Sequence, residues 1–292
     1  MGLLSKVLKS VSGGADVEAE VQKRGFTVAQ CSPDDCASCS DKFPSSMTVD
    51  METPLWGSGK DFSVQLVVAT GKTDWLHDPS DEKGSVLQAL SKGESDISKA
   101  AGGSVKLSAS SMMPPDEYLE KGDTRTHVLI MPFFIRVTVD PQTAVQQVVK
   151  AIEYAKAHSA GQTPSMKGIE NAVKCPNRGY IFLCSHKTRD KRCGITAPIM
   201  KKVLENQLRD HDLYRDPYDD RGGGVPIHYV SHVGGHKFSA NVIIFLKSGK
   251  VLWLGRVRPE HAKAIVDYSI LKDGEVIPEL LRTAFKSPAI EW

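Results

Sequence analysis

Cys184, Cys193, His232 and His236 are the residues of this 292-residue chain whose types and spacing point most directly to chemistry. Eight residues separate the two cysteines, thirty-eight lie between Cys193 and His232, and three separate the two histidines. Two thiolates and two neutral imidazoles are soft and borderline donors, and a set of four suits a metal centre. Zinc takes such a set tetrahedrally, but its usual knuckles place the cysteines only about two to four residues apart. A [2Fe–2S] cluster is the other fit, with the thiolates on one iron and the imidazoles on the other, as in Rieske centres. Neutral imidazole in place of thiolate removes negative charge and raises the reduction potential. A ligand imidazole can also gain or lose its outer proton, which lets electron transfer couple to protons near neutral pH.

Other residues compete for chemical roles. Cys31, Cys36 and Cys39 copy the spacing of the first three ligands of a plant-type ferredoxin. No fourth cysteine follows until Cys175, so the trio reads as a reactive dithiol, a zinc site completed from elsewhere, or buried structural thiols. Cys175 reads as a lone thiol. His186 and His228 lie close to the quartet and read as outer partners, alternate ligands, or ordinary core or solvated histidines. An ion pair between Arg189 and Asp190 would fix the cysteine loop. Gly222-Gly-Gly224 is not followed by a helical signal, which argues against a phosphate loop. No Ser-His-Asp or paired-carboxylate arrangement stands out.

The elements that must position the quartet follow from periodicity. A strand at residues 179–183 runs into the cysteine loop, and Cys193 falls just before a helix that Thr196 can cap, with Pro198 in its first turn. A helix N-terminus and the cations Arg189, Lys191 and Arg192 favour thiolate and sulfide. His232-Val-Gly-Gly-His236 reads as a tight loop, because glycine alone tolerates the backbone angles that turn both rings to one site. Residues 241–246 and 251–255 flank Lys247-Ser-Gly-Lys250 as a hairpin, and Arg258-Pro259-Glu260 opens a last helix through Val266. The first half repeats this order. A strand at 62–69 leads to a polar loop with Asp74 and Trp75, then to a helix carrying Val86, Leu87 and Leu90. A strand pair at 127–134 and 135–139 precedes a helix opened by Asp140-Pro141. Strand, helix, hairpin, helix is the plan of a thioredoxin-like α/β unit. The expected architecture is α/β, with two such units in tandem. Its parts are an extension at residues 1–24, a first unit at 25–157, a linker at 158–178, a second unit at 179–286 and a tail at 287–292. Residues 92–125 are polar and Gly/Ser-rich and read as a long insertion loop.

The segments Cys184-Ser-His-Lys-Thr-Arg-Asp-Lys-Arg-Cys193-Gly and His232-Val-Gly-Gly-His236-Lys resemble the sucrase/ferredoxin-like family. Cys36-Ala-Ser-Cys39 and Thr73-Asp-Trp75 extend the resemblance into the first half, so that it runs from about residue 25 to the end. It implies that the second unit, residues 179–286, is a thioredoxin-like ferredoxin domain. It also implies that Cys184, Cys193, His232 and His236 bind one [2Fe–2S] cluster, and that the first unit is a degenerate copy. The implied function is electron transfer linked to redox or iron homeostasis, without a substrate pocket and with an undefined redox partner. Ile290-Glu291-Trp292 resembles the hydrophobic-acidic-tryptophan tail that the cytosolic iron–sulfur assembly machinery reads on client proteins; a tryptophan folded onto the core is the alternative. A structural zinc module and a thiol oxidoreductase using the N-terminal cysteines are the competing functions.

Composition narrows the field further. Lys and Arg number 37 and Asp and Glu 35, a net charge of +2, so no broad basic field is set up for nucleic acid. No apolar run is long enough to span a membrane. Residues 1–12 are basic and amphipathic like a mitochondrial presequence, but short and without arginine. Six cysteines without a signal peptide suggest a reducing compartment. The tail favours the cytosol, with the mitochondrion as the alternative.

Overall fold

The structure is a computed structural model and describes residues 16–30, 41–119, 123–169, 171–217, 219, 221–289 and 291–292. Cys31, Cys36, Cys39, Ile290 and the basic stretch at residues 1–12 lie outside the described residues, as do the expectations attached to them.

After α1 (Val17–Lys23), the chain is organised around two strands of equal length, β1 (Val64–Ala69) and β6 (Gly179–Cys184), each buried from end to end. Strands covered on both faces read as continuous apolar runs, as these do. β1 pairs in parallel with β2 (Val105–Ser110), reached through α2 (Val86–Lys92) and α3 (Glu94–Ala101). Its other neighbour is the antiparallel β3 (Thr126–Met131), which turns back into β4 (Ile135–Val139). Following α4 (Ala144–Ser159), the short β5 (Val173–Lys174) joins the outer edge of β4.

The second half repeats each step. β6 pairs in parallel with β7 (Ile227–Val230), reached through α5 (Lys191–Arg209), and antiparallel with β8 (Val242–Leu246). β8 turns into β9 (Lys250–Leu254) through Gly249, whose φ of 86° suits a tight hairpin. A 3₁₀ turn (Pro259–His261), α6 (Ala262–Ala264) and a π-helical turn (Ile265–Leu271) then lead to β10 (Leu281–Lys286) on the edge of β9. In both halves the first four strands lie in the order 4-3-1-2, with the third antiparallel to the first.

The two halves share one sheet. β2 and β7 pair antiparallel at Ser110 and Val230, which makes ten strands in the order β10-β9-β8-β6-β7-β2-β1-β3-β4-β5. Two hydroxyls mirror each other across this seam. Ser231 Oγ accepts from the Ala109 amide and Ser111 Oγ from the Tyr229 amide, both at 3.0 Å. Each takes up a backbone donor that the short ladder leaves over.

Three cores result. Helices α2, α3 and α4 cover one face of the first half, and α5 with the last helical turns covers one face of the second. The opposite faces of the two halves pack on each other. Phe62, Leu129, Met131 and Phe134 of the first half join Tyr180, Phe182, Phe245 and Trp253 of the second. Phe62 meets Phe245 edge-on at 6.1 Å and Trp253 at 6.4 Å.

Three expectations are corrected. Residues 92–125 are not an insertion loop, since they hold α3 and β2. β2 escaped notice because Lys106, Ser108 and Ser110 occupy its inner face and hide the apolar alternation, while Gln65 satisfies Ser108 at 3.0 Å. β7 is only four residues long, and Arg282, Thr283 and Lys286 break the apolar pattern of β10, so neither stands out in the sequence. The helix after the cysteine loop starts at Lys191 rather than Thr196. Asp190 caps it by accepting from the Arg192 amide at 2.9 Å, and Thr196 lies buried within it. The helix after Asp140-Pro141 starts at Ala144, because Asp140 first closes a turn by accepting from the Gln142 and Thr143 amides.

Candidate metal centre

Cys184 is the last residue of β6, and its amide donates to Asn241 O at 3.2 Å. Cys193 is the third residue of α5, so its sulfur belongs to the first helical turn rather than to the loop before it. Both are buried. Cys184, Cys193 and His232 bring their ligand atoms within 4.8 Å of one another. The Cys184 hydrogen bond holds the Cys193 thiol down, with His232 and Ser239 assisting against burial. The same hydrogen bond, together with burial, pushes Cys184 up. One proton shared between two sulfurs leaves a thiolate in the site, the form that binds metal.

His232 lies two residues beyond the end of β7 and is set by His186. The His232 amide donates to His186 Nδ1 at 3.2 Å, which leaves His186 Nε2 to donate to Trp75 O at 3.2 Å. Trp75 closes edge-on against that ring at 5.7 Å, and burial lowers the His186 pKa. With both nitrogens engaged, His186 supports a candidate ligand rather than serving as one. The chain then turns through Gly234 and Gly235, with φ of 90° and 70°, into a 3₁₀ turn (His236–Phe238). Arg282 Nη1 donates to Gly234 O at 2.7 Å and Asn241 Nδ2 to Gly235 O at 3.0 Å, which clamps the turn. Ser239 Oγ donates to His236 O at 2.8 Å and lies 3.5 Å from Cys193 Sγ, tying the histidine turn to α5.

His236 stands beside the trio. Its ring centre is 5.3 Å from that of His232, and its Nε2 lies 3.8 Å from Asp190 Oδ2 at a half-exposed rim. The Nδ1 atoms of both His232 and His236 are buried and have no hydrogen-bond partner among the described residues. Buried polar atoms are normally satisfied, so two imidazole nitrogens without partners beside two coupled thiols fit a metal-bound group.

The first half supplies the roof of this site. Ser185 Oγ donates to Thr73 O at 2.8 Å. Thr188 donates to Asp74 through its amide at 3.0 Å and its hydroxyl at 2.7 Å. Arg189 Nη1 donates to His77 O at 3.1 Å and does not pair with Asp190, which is held by Arg192 at 2.8 Å instead. Asp190 therefore caps the helix instead of pairing with Arg189, and Asp74 anchors the cysteine loop. Asp74, His77, Ser239, Asn241 and Arg282 were missed as site residues; only Thr73-Asp-Trp75 carried a signal.

The remaining candidates fall outside the centre. His228 stacks on Tyr180 and Phe182 in the inner core, and burial lowers its pKa to about 4. Cys175 is a buried lone thiol whose pKa burial raises. At the place Cys184 takes at the end of β6, β1 ends in Ala69, and Met112 follows β2 where His232 follows β7. Trp292 is not an exposed handle. It packs against His158 at 4.9 Å and Tyr154 at 6.1 Å, with Lys174 Nζ 5.0 Å from its ring centre.

Comparison with known proteins gives matches over most of the chain. The pattern of the sucrase/ferredoxin-like family matches residues 55–283. Actin patches distal protein 1 of Saccharomyces cerevisiae is 35% identical over 241 residues, 80% of this chain and 76% of that protein. Altered inheritance of mitochondria protein 32 of Debaryomyces hansenii is 40% identical over 107 residues, 36% of this chain and 35% of that protein. Among solved structures, a thioredoxin-like [2Fe–2S] ferredoxin from Aquifex aeolicus matches 39% of this chain and 99% of its own, at 17% identity and a TM-score of 0.28.

Proposed function

The chain belongs to the sucrase/ferredoxin-like family, and from that premise we propose that it is an electron carrier holding one [2Fe–2S] cluster. Cys184 and Cys193 would hold one iron, His232 and His236 the other. The observation that carries this reading is the pair of buried, unpartnered Nδ1 atoms of His232 and His236 beside two coupled cysteines. When bound, the group supplies one-electron transfer. The chain's own residues fix both ligand sets: Asp190 starts the helix under Cys193, His186 orients His232, and Arg282 with Asn241 clamps the turn before His236. Asp190 also faces His236 Nε2 at 3.8 Å. Buried Phe182 and Trp253, in the same inner core as both cysteines, keep water from that side, while His236 is the exposed route for electrons.

The proposed role is redox or iron homeostasis in the cytosol, with the mitochondrion as the alternative. No helix among the described residues is long and apolar enough to cross a membrane. Protein purified without oxygen should contain about two irons and two sulfides per chain, as the cluster requires; colourless protein with one tight zinc would reject the reading. We extend the proposal to the assembly machinery as a partner through Ile290, Glu291 and Trp292, which requires Trp292 to leave its seat on His158 and Tyr154. A Trp292→Ala chain should then load less iron in cells than the parent. Equal loading would argue against that partner.

A further inference from the structure

Arg282 is a buried cation without a carboxylate. It lies on β10 and is 3% exposed. Its Nη1 donates to Gly234 O and Asn241 Oδ1, both at 2.7 Å. Nη2 donates to Ser58 O at 2.9 Å and Nε to Ser58 Oγ at 3.1 Å. Every acceptor is a neutral oxygen. Its Cζ lies 4.3 Å from the centre of the Trp253 ring, and Lys106 Nζ lies 4.5 Å from the same centre. Burial, with the charge of Arg282 adding to it, lowers the pKa of Lys106 to about 8. Buried Arg282 and half-buried Lys106 thus share one indole. Neither forms an ion pair with an acidic side chain among the described residues.

Burying charge without compensation is strongly unfavourable, and proteins pair it or neutralise it. Arg282 reaches the site through two of its acceptors: Gly234 lies in the turn before His236, and Asn241, whose backbone oxygen accepts from the Cys184 amide, accepts from Arg282 through Oδ1. We propose that Arg282 is the positioning counter-charge of the metal centre: it holds the turn before His236 and sets the potential at which the centre accepts an electron. This rests on the [2Fe–2S] reading above. Two ferric ions, two sulfides and two thiolates sum to zero charge, and one electron delivered by an electrode adds one negative charge next to a fixed cation. A cation in a low-dielectric interior stabilises that added charge and raises the potential. Lys106 acts in the same direction without touching the histidine turn. The guanidinium also fills the space a side chain at Gly235 would need, since a Cβ there would stand 2.4 Å from Nη2.

Voltammetry of the full chain, with iron and sulfide measured on each sample, tests this. Arg282→Gln should shift the potential downward, and Arg282→Lys, which keeps the charge but loses the planar fork, should restore most of the shift. Lys106→Met should lower the potential by a smaller amount with every hydrogen bond of the turn intact. Parental potentials in both Arg282→Gln and Lys106→Met would overturn the proposal. Should Arg282→Gln fail to hold the cluster, Lys106→Met decides by itself: a lowered potential supports the counter-charge and an unchanged one overturns it. A parent chain without iron and sulfide would overturn the cluster reading and this proposal together. A loaded parent with indifferent variants would overturn only this one.

Discussion

At the scale of single residues, two kinds of histidine share one loop system and differ only in what their nitrogens touch. His186 has both nitrogens engaged, whereas His232 and His236 each keep one buried nitrogen without a partner. That difference separates support from candidate ligand, and neither residue type nor spacing could have drawn it. His236 is the more revealing of the two candidates, because it stands at the rim against Asp190. Replacing His236 with Cys should leave a cluster in place at a lower potential, since thiolate adds the negative charge that imidazole withholds. Voltammetry reads the shift, and an unchanged potential would mean that His236 binds no iron.

At the scale of elements, the site depends on where a helix begins and how a turn is held. Asp190 makes Cys193 the third residue of α5, which brings its sulfur to the helix N-terminus. The cysteine spacing was legible, but the start of the helix was not. Asp190 read as a partner for Arg189, and Thr196-Ala-Pro198 imitated a helix opening in mid-helix. The Gly-Gly turn was legible because glycine tolerates positive φ. The two glycines are nevertheless unequal. A Cβ at Gly234 meets nothing within 4 Å, whereas one at Gly235 would collide with Arg282. Gly234→Ala should therefore cost about 1 kcal/mol for its backbone angle alone. Gly235→Ala should cost on the order of 3 kcal/mol and reduce iron content as well. Urea titration with iron analysis would show this; equal losses at both positions would contradict the clamp.

At the scale of the whole molecule, a repeated strand plan and the packing of its two halves together shape the candidate centre. The loop carrying Asp74, Trp75 and His77 comes from the first half and closes on the cysteine loop of the second. The shared inner core also buries titratable groups from both halves. Burial lowers the pKa of His127 and of His228 from 6.5 to about 4. The unfolded chain takes up these protons near pH 6.5 while the folded chain resists until about 4. Stability is therefore complete above the upper value and is lost as pH falls through that window. The urea midpoint should drop between pH 7 and pH 4, and less so when both histidines are replaced by glutamine; a midpoint that rises on acidification would count against it.

The sequence by itself determined the candidate ligand types, the central strands β1, β6 and β8 and the repeated plan, because continuous apolar runs and a Gly-Gly bracket are local signals. Only the tertiary structure decided the rest. The polar inner face of β2 becomes intelligible once Gln65 is seen to satisfy Ser108, and the brief pairing of β2 with β7 once the seam hydroxyls are seen to take up the Ala109 and Tyr229 amides. The seat of Trp292, the roof of Asp74 and Trp75 and the buried charge of Arg282 all join residues far apart in the chain. Such contacts depend on which faces meet when two halves bury their inner surfaces together, and no local pattern encodes that.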